Sequence, residues 1–162
     1  MSTNIRDWNP DDGDAYQGDV CLFRIPDSIK IDMADEILPR EHRLILAEGE
    51  ITGHHHAIDV LERPAISKAE TDKMLDAVVK ASRKRKAVVG SARLYRDPKA
   101  VDALRIAGEL TTGALAIGFL VVDGTCVVLR HDEHDAIRIP PGRYYVGAQQ
   151  EFSAAQARRV AD

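Results

Sequence analysis

The sequence predicts an α+β fold, a small antiparallel β-barrel or sandwich over residues 18–162 with a helical insertion at about residues 65–110. Three observations lead there. β-forming segments occupy both halves of the chain, a capping box with helical periodicity opens its middle, and Asp123-Gly124 separates two apolar runs as a hairpin signal. The order is strands, helices, strands.

Residues 1–17 read as an extended N-terminal arm in which Trp8 and Tyr16 can dock on the domain or on a partner. Residues 19–25, rich in β formers and closed by Pro26, read as a strand, as do residues 43–47. The stretch 47–59 continues that second strand through Gly49 and Gly53, which suit a bulge or kink beside His54, His55 and His56. Ser67 and Glu70 form a capping box, and Met74, Leu75, Val78 and Val79 recur at helical spacing, so residues 68–85 are expected to be helical. Asp97 as N-cap, Pro98 in the first turn and Gly108 as terminator define a second, shorter helix. Residues 114–122 and 125–130 then form the Asp123-Gly124 hairpin. A strand at 136–139, a Pro-Pro-Gly turn at 140–142 and a strand at 143–150 follow. Ser153 can cap a last short helix.

A chain of 162 residues suits one domain. Its net charge of −4 argues against a general nucleic-acid binder. The run Arg83–Lys86, with Lys80, Arg93, Arg96 and Lys99 near it, could touch phosphates or an acidic partner, but a solvated helix end explains it more simply. Cys21 and Cys126 are too few and too far apart for a disulfide scaffold or a cysteine zinc motif, and read as buried thiols. Residues 1–18 hold four Asp and no apolar run, and residues 114–122 are too short to span a bilayer. A cytoplasmic protein without a membrane partner is expected.

The residues that carry chemistry are histidines. On a strand His54 and His56 share one face and His55 takes the other, so the pair can offer two imidazoles to one ion. His131 and His134 can join them only if Asp132 and Glu133 lie in a turn. His54, His56, His131 and His134, with Glu50, Glu62, Asp132 or Glu133 as carboxylate, fit the donor preferences of Zn²⁺, Fe²⁺, Mn²⁺ or Ni²⁺. An open position on such an ion activates water, with Glu50 or Glu133 as ligand or base, which makes metal-assisted hydrolysis the simplest enzymatic reading. The same histidines also suit polar loop ends hydrogen-bonded to carboxylates.

Without metal, His131 beside Glu133 or His56 beside Asp59 could act as a carboxylate-oriented base. No serine or cysteine stands in a recognisable nucleophile setting, and Gly49 and Gly53 lack the lysine of a phosphate loop. Thr52 and Tyr144 read as structural. His54, His56 and Glu62 follow the order of the histidine pair and glutamate in the cupin jelly rolls, although the spacing is looser and the later histidine motif differs.

Two stretches carry a further resemblance. Gly18-Asp-Val, followed by Leu-Ala-Glu-Gly-Glu-Ile-Thr-Gly-His-His-His at 46–56, is the first. His-Asp-Glu-His-Asp-Ala-Ile-Arg-Ile-Pro-Pro-Gly-Arg-Tyr at 131–144, running on through 149–152 to 158–162, is the second. They resemble a family of small uncharacterised proteins encoded in bacterial and phage genomes, for which no activity is established. The resemblance covers less than half of the chain and leaves the middle least shared. It implies that both histidine stretches belong to one unit. It also implies an alternative, non-enzymatic role as a structural or assembly protein, virion-associated if phage-encoded, in which the arm and β edges contact other subunits.

Overall fold

The computed structural model describes residues 4–48, 53–60, 91–110 and 115–148. The expected helices at 68–85 and after Ser153 lie outside them, as do Glu50, Thr52, Glu62 and Arg83–Lys86. The described strands are β1 (Ile5–Asp7), β2 (Ala15–Gln17), β3 (Val20–Arg24), β4 (Glu36–Ile37), β5 (Arg43–Glu48), β6 (His55–Asp59), β7 (Ser91–Tyr95), β8 (Leu115–Asp123), β9 (Val127–Arg130), β10 (Ala136–Ile139) and β11 (Gly142–Ala148). Among the described residues the α-helix α1 (Pro98–Ile106) joins them.

These strands make a five-stranded sheet, β1-β10-β9-β6-β5, and a six-stranded sheet, β2-β3-β11-β8-β7-β4. The fold is mostly β, and the sheets are not closed into a barrel. Alternation explains why they face each other. Leu44 and Leu46 of β5, Val127 and Leu129 of β9, and Ile137 and Ile139 of β10 turn inward to meet Val20, Leu22, Leu94, Leu120, Tyr144 and Val146 of the other sheet in one core. The six-stranded sheet is buried on its second face as well. There Phe119 and Tyr145 pack with Val101 and Leu104 of α1, which accounts for the unbroken apolar run of β8.

The shorter helix forms as its sequence dictates. Asp97 accepts from the backbone N–H groups of Lys99 and Ala100, both at 3.1 Å, Pro98 occupies the first turn, and Gly108 follows at φ +78°. The strands at 20–24, 43–48, 136–139 and 142–148 also stand where β patterning put them.

Three expectations change. Asp123-Gly124 does not close a hairpin. β8 already pairs with β7 and β11 on its two edges, so β9 has no free edge there and joins β10 and β6 in the other sheet. The residues 47–59 do not continue one strand either. The chain reverses between Glu48 and His55 so that β5 and β6 pair antiparallel, and the register irregularity falls earlier, between Ile45 and Ala47. Residues 91–95, assigned to the helical insertion, form β7 inside the six-stranded sheet. The extended arm docks on the domain, one of the two outcomes expected of it, and it does so by joining both sheets. β1 pairs parallel with β10, β2 pairs with β3, and Trp8 lies 5.2 Å from the ring of Tyr144 while its Nε1 donates to Gly13 O at 2.9 Å. Tyr16 points to solvent.

Candidate functional site

β6 sets the first half of the site. Its alternation turns His56 inward, where it is only 4% exposed, and turns His55 outward to Glu48, its directly opposed residue on β5, with Nδ1 3.8 Å from Oε1. His54, just before the strand, lies on the side of His56, with its ring edge-on to His131 at 5.8 Å and its Nδ1 3.5 Å from Glu133 Oε1.

The second half is the bend between β9 and β10. The backbone N–H of Glu133 donates to Nδ1 of His131 at 3.1 Å, so Asp132 and Glu133 do lie in a tight bend and bring both histidines to one side. His131 stacks on His56 with centroids 4.2 Å apart and lies tilted against His134 at 4.6 Å, while His56 and His134 are 6.3 Å apart. All four histidines expected as ligands thus meet at one end of the two sheets.

Two further residues of the site were not singled out in the sequence. β2 and β3 are joined by the two-residue turn Gly18-Asp19, which places a side chain on each side of His56. Gln17 is 2% exposed. Its Nε2 donates to Leu129 O at 3.0 Å and to Asp135 O at 2.9 Å, so its Oε1 is left to accept from Nδ1 of His56 at 2.9 Å. Asp19 Oδ1 lies 3.1 Å from Nε2 of the same ring. A Gly-Asp pair between two short β segments is a hairpin signal that could have found them.

Burial pushes the His56 imidazolium down to about 4, with help from the neighbouring His131 and against the attraction of Asp19. His131 is lowered too, first by burial and then by His134. At neutral pH His56 is therefore uncharged, and Gln17 fixes its proton on Nδ1. Asp19 Oδ1 stands at hydrogen-bond distance from Nε2, so each ring nitrogen faces an oxygen.

Gly18 completes the close packing. It sits at φ +58°, and a Cβ there would lie 2.7 Å from His134 Nε2 and 3.3 Å from His56 Cε1. Only glycine takes that backbone and leaves that space.

Other candidates are elsewhere. Asp59 projects from the face opposite His56 and lies 4.0 and 3.9 Å from Arg43 and Arg130, because three residues along a strand means opposite sides. Glu133 meets His131 through its backbone, and its carboxylate faces His54 instead. Tyr144 is structural, donating to Pro140 O at 2.6 Å. Cys126 is exposed and Cys21 half-buried, so only part of the buried-thiol expectation stands; Cys126 follows a turn between sheets where no core covers it. Arg96 pairs with Asp35 at 3.6 Å. A pocket of about 340 Å³ lies against α1, where the basic Arg96 and Arg105 alternate with the acidic Asp97 and Asp102.

Among the described residues no three His, Cys, Asp or Glu side chains form a ready-made ion cage, since the imidazoles meet largely ring face to ring face rather than nitrogen to nitrogen. No described helix is long and apolar enough to cross a membrane. The chain matches no protein-family model, no curated protein and no solved structure.

Proposed function

We propose that this protein binds a divalent metal ion at the histidine end of its two sheets and uses the ion to activate water for hydrolysis. The observation that carries this reading is His56, buried with Nδ1 against Gln17 Oε1 at 2.9 Å and Nε2 against Asp19 Oδ1 at 3.1 Å. A metal-bound imidazole characteristically donates its other N–H to a fixed oxygen, the part Gln17 plays here. The nitrogen and oxygen donors of the cluster suit Zn²⁺, Fe²⁺, Mn²⁺ or Ni²⁺. Glu133, whose carboxylate is exposed beside His54, is the base that would take the proton of an ion-bound water.

Elemental mass spectrometry on untagged protein tests the binding, and hydrolysis of a panel of activated esters and phosphoesters tests the chemistry. Near-stoichiometric metal is expected, with a melting temperature that falls on chelation because the ion binds only the folded state. Glu133→Gln should retain the metal while lowering kcat by roughly 10²–10⁴-fold. Metal at trace level, together with melting that neither chelator nor added Mn²⁺ changes, would overturn the reading.

A further inference from the structure

β8 is an interior strand of its sheet for only part of its length. β7 ends at Tyr95, paired with Phe119, and the N–H of Arg96 then turns away to Asp35 O at 2.8 Å. Leu115, Ala116 and Ile117 therefore have no ladder partner on that side among the described residues, while β11 runs along their other side with a bulge at Ile117. The wall facing this free edge is α1. Its residues Pro98, Val101, Asp102 and Arg105, one stripe of the helix, line a groove of about 340 Å³ together with β8 at Ala116, Ile117 and Gly118. The two walls match in length. Pro98 to Arg105 rises about 10 Å along a helix, and Leu115 to Gly118 runs about 10 Å along a strand.

Positive charge stands at both ends of the groove. Arg96 precedes the helix and Arg105 lies in its last turn, and each is held only by an exposed ion pair, 3.6 Å to Asp35 and 3.4 Å to Asp102. Asp97 is already committed, one carboxylate oxygen to the N–H groups of Lys99 and Ala100 and the other to that of Asp32 at 2.8 Å. Between the arginines the lining is apolar or small, from Val101, Ala116 and Gly118, and Leu115 is left 52% exposed at the start of the strand. We infer that this groove takes an extended acidic peptide, which adds as a strand to the free edge of β8 beside α1. Main-chain hydrogen bonds to the edge supply affinity, and alternate side chains, about 7 Å apart, meet the helix. An acidic, small, acidic order at alternate positions then places a carboxylate by each arginine and a small apolar group over Val101 and Ala116. The groove shares no residue with the histidine cluster, and the inference does not depend on a metal.

Fluorescence anisotropy with the full chain tests this, using a labelled threonine heptapeptide with glutamate at its second and sixth positions and valine at its fourth. Saturable binding that weakens as salt rises is expected. Arg96→Glu and Arg105→Glu should each lower affinity by about 10-fold or more while keeping wild-type circular dichroism. The double variant should prefer the same peptide with lysine in place of glutamate. Methylated peptide nitrogens test the strand pairing separately, because alternate N–H groups of a strand point to opposite edges. Methylation of one alternate set should abolish binding, and methylation of the other should leave it intact. No saturable binding, the same response to both methylated sets, or charge-reversed variants that bind like wild type would each overturn the proposal. A dimer in sedimentation that Arg105→Glu dissolves would place a second copy in the groove and would overturn it as well.

Discussion

The side chain of Gln17 meets His56 through its oxygen, 2.9 Å from Nδ1, because both hydrogens of its amide are committed to the carbonyls of Leu129 and Asp135. One buried residue on β2 therefore ties three segments of the site together and chooses the tautomer of the central histidine. Replacing it should be costly. Gln17→Leu takes the amide oxygen from the buried Nδ1–H of His56 and the amide N–H from the Leu129 carbonyl, and we expect a loss of about 2–4 kcal/mol in urea unfolding. A loss under about 0.5 kcal/mol would mean that water replaces the amide at all three contacts.

Starting the chain at residue 18 should destabilise the domain rather than trim an appendage. β1, β2, Trp8 and Gln17 would all be lost, and Trp8, partly buried against Tyr144, adds a share smaller than the about 3–5 kcal/mol of a fully buried ring. Thermal melting of the truncated chain should fall by about 10 °C or more. A truncated protein with unchanged melting and altered self-association would instead support an arm used for partners.

The adjacent tyrosines of β11 should respond in opposite ways. Tyr144 donates to Pro140 O, so Tyr144→Phe is expected to cost about 1 kcal/mol. The Tyr145 hydroxyl is buried with no hydrogen-bond partner among the described residues, so Tyr145→Phe should be neutral or stabilising at pH 7. Burial pushes the Tyr145 phenol up to about 12, above its ordinary value near 10. The unfolded chain loses that proton first, so the stability this group contributes is complete below about pH 10 and is lost as pH rises through about 12. A late phase in the absorbance titration of phenolate should vanish in Tyr145→Phe.

In the metal-free protein the acid limb follows from His56. Its folded value of about 4 lies below the value near 6.5 of an unfolded chain, so the unfolded state binds the extra proton between them. Stability present above about pH 6.5 should therefore decline as pH falls toward 4. His56→Gln should flatten that part of the urea-midpoint profile, and an unchanged slope would show that other groups carry it.

How much of this could be read from the sequence depends on the range of the interaction. The α1 caps, Asp97 and Gly108, act within one turn of their own helix, and they stand where local chemistry puts them. The strand cores at 20–24 and 136–139 follow period-two alternation in the same way. Asp123-Gly124 was misleading for a non-local reason: a turn signal tells the chain to reverse but says nothing about which edge is free, and β7 and β11 already hold both edges of β8. The meeting of His54 and His56 with His131 and His134 was legible from face parity and the need for a bend. Gln17 and Asp19 were not, because their roles come from β2 lying across from β9, over a hundred residues away in the chain, as the Gln17 bond to Leu129 records.

The central claim is that neutral His56 keeps its proton on Nδ1 and turns an unprotonated Nε2 toward Asp19. Long-range nitrogen-15 correlation spectra of the histidine rings in metal-free protein at pH 7 measure this directly. A His56 pattern of protonated Nδ1 and bare Nε2, with the Nε2 resonance moving on addition of Zn²⁺, is the expected result. A proton on Nε2, or a doubly protonated ring at that pH, would mean that Asp19 holds a hydrogen bond and not a place for an ion.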